Sequence, residues 1–76
     1  MKLNEIVSQD PEVMHGTLVF AGTRVPAQSL IDHLKAGDSL EDFLEGFPTV
    51  TRAQVEAFLD LAFYSVEANL PYARAG

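Results

Sequence analysis

The stretch from Thr51 to Leu70 limits the possible folds of this chain more than any other, because it carries a helix start, a helix stop and helical periodicity between them. Thr51 and Gln54 stand at the spacing of a capping box, in which each side chain accepts a hydrogen bond from the other's backbone N–H. Val50 and Val55 flank that start as a hydrophobic staple, and Pro71 ends the helix because it cannot continue the ladder. At about 100° per residue, Val55, Leu59, Ala62 and Val66 fall in one narrow stripe, flanked by Phe58, Phe63 and Leu70. This is the expected core face. Ala53, Ala57, Leu61, Tyr64 and Ala68 form a second stripe on the opposite side, with Glu56, Asp60 and Glu67 along an acidic edge between the two. A helix that is apolar on two sides usually has two neighbours, so the second stripe is expected to be a partner or dimer interface, with Leu61 and Tyr64 as anchors. The plainer reading is that alanine is simply the best helix former and Leu61 an isolated exposed hydrophobe.

The rest of the chain gives that helix little to pack against. Its 76 residues allow one domain and one modest core. A chain of this size buries only about 60% of its unfolded surface, and its stability is expected near about 3–5 kcal/mol. There is no cysteine to add a disulfide or a thiolate metal site, which leaves oligomerisation or a bound partner as the route to further stability. Met1-Lys2-Leu3 runs directly into Asn4 and Glu5, without the apolar region of a secretory signal. No apolar run approaches the roughly eighteen residues of a membrane span, so a cytoplasmic protein is expected. The net charge of -6 favours a basic partner and opposes general attraction to nucleic acid or anionic lipid.

Two shorter helices precede the long one. Pro26 opens the first, in which Ala27, Leu30, Ile31 and Leu34 share one face and Gly37 marks the stop after Lys35. Ser39 caps the second, with Glu41 and Asp42 in its first turn and Leu40, Phe43, Leu44 and Phe47 on its buried side. Gly46 and Pro48 end it. Upstream, Thr17–Phe20 and Thr23–Val25 are β-prone around Ala21-Gly22 and predict a hairpin, while the stretch through Asp10-Pro11 and His15-Gly16 reads as an extended lead-in. The tail from 71 to 76 is expected to fray. The predicted fold is mainly α: three helices behind a short extended or β-hairpin segment.

The short Phe47-Pro48-Thr49 link makes the second and third helices a candidate helix-turn-helix pair. In that reading the third helix enters the major groove, and Arg52 and Gln54 have the chemistry to meet guanine and adenine edges. Glu56 and Asp60 then face phosphate, which favours a structural helical pair. Arg24 has two readings: it clamps a phosphate or a partner carboxylate bidentately, or it pins the hairpin to Asp32 or another carboxylate, and the second is preferred. His15 and His33 have no partners at metal-ligand spacing. There is no nucleophile context, carboxylate pair or glycine-rich phosphate loop, so no enzyme activity, cofactor or metal is expected.

Asp10-Pro11-Glu12-Val13, Gly16, Val19-Phe20-Ala21-Gly22-Thr23-Arg24-Val25-Pro26, Leu34-Lys35-Ala36-Gly37-Asp38-Ser39 and Phe47-Pro48-Thr49-Val50-Thr51 form a specific succession. From about Ile6 to Val66 the chain resembles the bacterial domain-of-unknown-function family 433. That resemblance implies a homeodomain-like helical fold and an antitoxin-like role of the VapB type. The job it implies is to bind and neutralise a toxin, a PIN-like ribonuclease, and to co-repress the shared operon. It carries over no catalytic residue. The alternative function is a helix-turn-helix transcription regulator that acts on DNA directly. Antitoxins commonly inhibit through a C-terminal arm, and the little chain that follows Pro71 shifts the expected contact to the folded surface.

Overall fold

The computed structural model describes residues 1–70. Four α-helices and a two-stranded antiparallel ribbon make up its regular structure: α1 (Leu3–Ile6), β1 (Val7–Ser8), β2 (Val19–Phe20), α2 (Ala27–Lys35), α3 (Leu40–Gly46) and α4 (Arg52–Asn69), with a 3-10 turn at Met14–Gly16. The mainly helical class and the N-terminal ribbon are as expected. The predicted fraying from 71 to 76 lies outside the described residues.

Each of the three long helices ends where local chemistry ends it. Ser39 Oγ accepts from Asp42 N–H at 3.1 Å, and Asp42 Oδ2 accepts from Ser39 N–H at 3.2 Å, which closes the capping box of α3. Thr51 and Gln54 make the same exchange at the start of α4, both bonds at 3.1 Å. Gly37, with a φ of 91°, terminates α2 in a Schellman motif: Gly37 N–H donates to Leu34 O and Asp38 N–H donates to His33 O. Pro26 stands one place earlier than expected, as the extended N-cap of α2 rather than its first helical residue.

The N-terminal third departs from the reading as an extended lead-in. Lys2 N–H donates to Glu5 Oε1 at 2.8 Å and starts one turn of helix, after which Val7 pairs with Phe20 and Ser8 with Val19. The main ladder of the ribbon therefore joins β2 to β1. The Thr23–Val25 segment forms no second ladder: Phe20 N–H donates to Val25 O at 3.0 Å, and the one isolated bridge on that side joins Val19 to Pro26, just beyond the segment. Between these contacts, Gly22 (φ 75°) makes the tight turn, Thr23 N–H donates to Phe20 O, and Thr23 Oγ1 donates to that same oxygen. Periodicity could not reveal α1 or β1, because neither is longer than four residues.

Phe20, Leu30, Phe43 and Val55 are fully buried, with Ala27 and Val50 beside them, and Leu44, Phe47, Phe58 and Leu59 close the margin. Phe20 meets Phe58 edge-on at 5.7 Å, and Phe43 meets Phe47 at 4.9 Å. Pairs at these separations contribute about 0.5–1.5 kcal/mol each beyond the area they bury. His33 is wedged edge-on between Phe43 and Phe47, at 5.5 and 5.6 Å. Its Nδ1 lies 2.9 Å from Asp38 Oδ2, but off the line a hydrogen bond would need. That histidine serves packing at the α2–α3 corner.

Candidate protein-binding surface

α3 and α4 are joined by a turn in which Val50 N–H donates to Phe47 O at 3.0 Å. This is the helix pair in which Arg52 and Gln54 were candidates for DNA contact. Gln54 is only 7% exposed. Its Nε2 donates to Glu5 O and to Ala21 O, both at 3.0 Å, while its Oε1 caps Thr51. Gln54 therefore ties the start of α4 to the end of α1 and to the turn after β2, and no part of its amide reaches a base. Arg52 is exposed, but its guanidinium is divided between two carboxylates, Glu41 on α3 and Glu56 one turn along α4 at 3.2 Å. The Glu41 carboxyl is held below the usual glutamate range, first by a hydrogen bond from its own backbone N–H and then by Arg52. Arg52 is raised in turn by those two carboxylates. A phosphate would have to compete with both for Arg52.

Arg24 corrects the expectation in the other direction. Among the described residues it makes no ion pair, with Asp32 or with any other carboxylate, and its side chain is exposed. The tight turn is held by Thr23 and Gly22, so Arg24 is not needed to pin it. It lines an open depression with Ser8, Asp10, Thr23 and Thr49. His15 lies exposed in the 3-10 turn with a φ of 56°, far along the chain from His33.

The second stripe of α4 runs from the body out into solvent. Ala53 and Ala68 are exposed and Ala57 is half-buried, while Leu61 is 37% and Tyr64 68% exposed. The expected core stripe behaves differently along its length. Val55 is fully buried and Phe58, Leu59 and Ala62 are half-buried, but Phe63 is 66%, Val66 60% and Leu70 64% exposed. Beyond Ala62, α4 stands off the body with apolar side chains on both sides.

A comparison of helix lengths could have revealed this earlier. Eighteen residues of α4 rise about 27 Å, against about 14 Å for the nine of α2 and about 10 Å for the seven of α3. Two short helices cannot cover a long one from end to end. Periodicity reports which face is apolar, not where its cover stops.

The charge is arranged more simply. All eleven carboxylates are exposed. Of the basic side chains, Arg52 is neutralised within the α3–α4 pair, and Lys2, Arg24 and Lys35 are spread over separate elements. No helix among the described residues is long and apolar enough to cross a membrane.

These features define a class: a small helical module, braced by a two-stranded ribbon, with an acidic exterior and one uncovered apolar helix end. Residues 7–62 match the family described as "Protein of unknown function (DUF433)", and the chain belongs to that family. The match ends at Ala62, where α4 leaves the body. The chain is also similar to "Uncharacterized protein y4eO" of Sinorhizobium fredii (strain NBRC 101917 / NGR234), with 37% identity over 65 residues, which cover 86% of this chain and 28% of the relative. It therefore spans less than a third of that relative's length. No solved structure matches.

Proposed function

We propose that the protein is a cytoplasmic, antitoxin-like binding module that grips and neutralises a basic protein, a PIN-like ribonuclease toxin, and does no chemistry of its own. The observation that carries this reading is that all eleven carboxylates lie exposed on a chain of net charge -6. Such a surface steers a cationic partner toward it and repels competing anions, RNA included. A nuclease must present positive charge to its substrate, so an acidic protein laid over that charge blocks the same field the RNA uses. Co-repression of an operon fits this scheme only if the partner supplies the cationic surface. The rival reading, a helix-turn-helix regulator acting alone, has lost Gln54 to the interior and leaves Arg52 bound to two carboxylates.

The test is a titration of this chain into a PIN-like ribonuclease encoded beside its gene, with RNA cleavage as the readout. Cleavage should stop near equimolar protein, and inhibition should weaken as salt is raised and the fields are screened. Full ribonuclease activity in the presence of excess protein, with no complex detectable at micromolar concentration, would refute the proposal.

A further inference from the structure

Two turns with positive φ frame the depression that Arg24 lines. On one side is Gly22, in the turn after β2. On the other, Met14, His15 and Gly16 take φ values of 51°, 56° and 83° in succession, a single left-handed turn. That conformation is strained for a residue with a Cβ, and it persists only where its surroundings hold it. Here Thr17 N–H and Thr17 Oγ1 both donate to Met14 O, Gly16 N–H donates to Val13 O, and Val13 N–H donates to Asp10 O. No residue from Asp10 to Thr17 is buried in the core, so the strain serves no core packing. What it fixes is the wall of the depression that Asp10 and Val13 form.

The opposite wall holds Arg24 just as firmly. Thr23 Oγ1 donates to Phe20 O and accepts from Val25 N–H, which fixes the backbone on both sides of Arg24. Ala21 O is turned to Gln54 Nε2, and because its peptide is trans, the Gly22 N–H of that peptide is directed away from Gln54. Among the described residues neither this N–H nor the Arg24 N–H has an acceptor, and the Arg24 guanidinium has no carboxylate. Two backbone donors and a cation thus stand unpaired within three residues of chain, on the rim of a depression. We propose that this depression binds the C-terminal carboxylate of a partner peptide. The Arg24 guanidinium grips the carboxylate, the Gly22 and Arg24 N–H groups donate to it, and the last side chain of the peptide rests on Val13, Val19 and Val25. This does not rest on the toxin reading.

Charge, floor and shape select that ligand. Backbone N–H groups beside a guanidinium recognise an oxyanion, and capture of a chain-terminal carboxylate is one recurring use of such a group. Asp10 lines the same depression, so a dianion such as a phosphate monoester meets a like charge there. A carboxylate brings only the single charge that Arg24 matches. The three valines make the floor apolar, which suits an aliphatic final residue. At about 610 Å³ the depression has the size of a ligand site, yet it is open to solvent and would leave a small molecule largely wet. The end of a chain fits it better, since the rest of the peptide can leave through the open side past the Ser8 and Thr49 hydroxyls.

Amide NMR of the isotope-labelled full chain tests this, with the peptide acid acetyl-Gly-Gly-Val as probe and its C-terminal amide as control. The acid should shift the Gly22 and Arg24 signals saturably, with a Kd of about 1 mM or below, as one charge-assisted contact on an open surface allows. The amide, which lacks the charge, and inorganic phosphate, which Asp10 opposes, should each bind at least about tenfold more weakly. Arg24→Gln should weaken binding of the acid about tenfold while the rest of its spectrum stays native, and Arg24→Lys, which keeps the charge without the fork, should fall between. The absence of a saturable shift below about 10 mM acid would overturn the proposal, as would equal binding of acid and amide. So would phosphate binding as tight as that of the acid. These comparisons use the unaltered chain and decide the matter even if a variant fails to fold. Binding undiminished in a folded Arg24→Gln would also overturn it, because the carboxylate would then sit elsewhere.

Discussion

Replacing Gln54 with leucine would keep most of its volume and remove every hydrogen bond its amide makes. The carbonyls of Glu5 and Ala21 and the N–H of Thr51 would lose their partner together. A buried polar group left without a partner costs about 1–3 kcal/mol, and three share this side chain, so Gln54→Leu should lower stability by about 2–4 kcal/mol. Against an expected total of about 3–5 kcal/mol, that would leave much of the protein unfolded at room temperature. A denaturant titration measures it, and a loss below about 1 kcal/mol would mean that water replaces the amide. Arg24 should behave in the opposite way. With no ion pair to lose among the described residues, Arg24→Ala should change stability by no more than about 0.5 kcal/mol, within the range of an ordinary surface substitution. If the melting curve moves further than that, the side chain has a structural role that its exposed position does not show.

At the scale of elements, α3 and α4 are joined by a packed aromatic corner and by an ion pair at the surface. The first does most of the holding, since Phe43 is buried and Glu41 and Arg52 are open to screening solvent. The ion pair should still leave a pH signature. Because the folded-state value of Glu41 is depressed, its stabilising contribution is fully present above the ordinary glutamate value of about 4.3 and is lost as pH falls through the folded value. Glu41→Gln should therefore melt below the parent at neutral pH, and the two should converge in acid beneath that window. High salt should narrow the neutral-pH gap. A gap that persisted in acid would assign the effect to something other than this carboxylate. The same short elements explain why the ribbon was only partly legible. The turn around Gly22 is a local signal, but the choice of Val7–Ser8 over Thr23–Val25 as the partner of β2 depends on α1 packing against α4.

For the molecule as a whole, net charge and shape decide what it can approach. Non-specific affinity for a duplex comes mainly from phosphates neutralised by Lys and Arg, and this chain has five such residues against eleven carboxylates. With Arg52 divided between Glu41 and Glu56, the free protein should bind random duplex DNA no tighter than about 10⁻⁴ M at physiological salt, the weak end of the usual range. A fluorescence titration with labelled duplex checks this. Submicromolar, sequence-selective binding by the protein alone would restore the regulator reading. The elongated form matters as much as the charge: the Cα radius of gyration is 14.3 Å, where a compact domain of this length has about 11 Å. Such a molecule leaves more of its apolar surface uncovered than its composition alone implies.

What the sequence determined by itself is what closes within a single turn of chain. The caps at Ser39 and Thr51 and the stop at Gly37 each need partners no more than five residues away, and they form where the residue types require. Composition likewise determines the acidic exterior, because carboxylates stay in water unless something pairs them inside. Tertiary structure alone decided the rest. Gln54 reads locally as half of a capping box, and its two amide protons find their acceptors 33 and 49 residues away, which no local pattern encodes. The apolar stripe of α4 is equally continuous in sequence from Val55 to Leu70, yet it is core at one end and bare surface at the other. Periodicity places a side chain on a face, but burial requires another surface against that face, and here the body of the fold ends before the helix does.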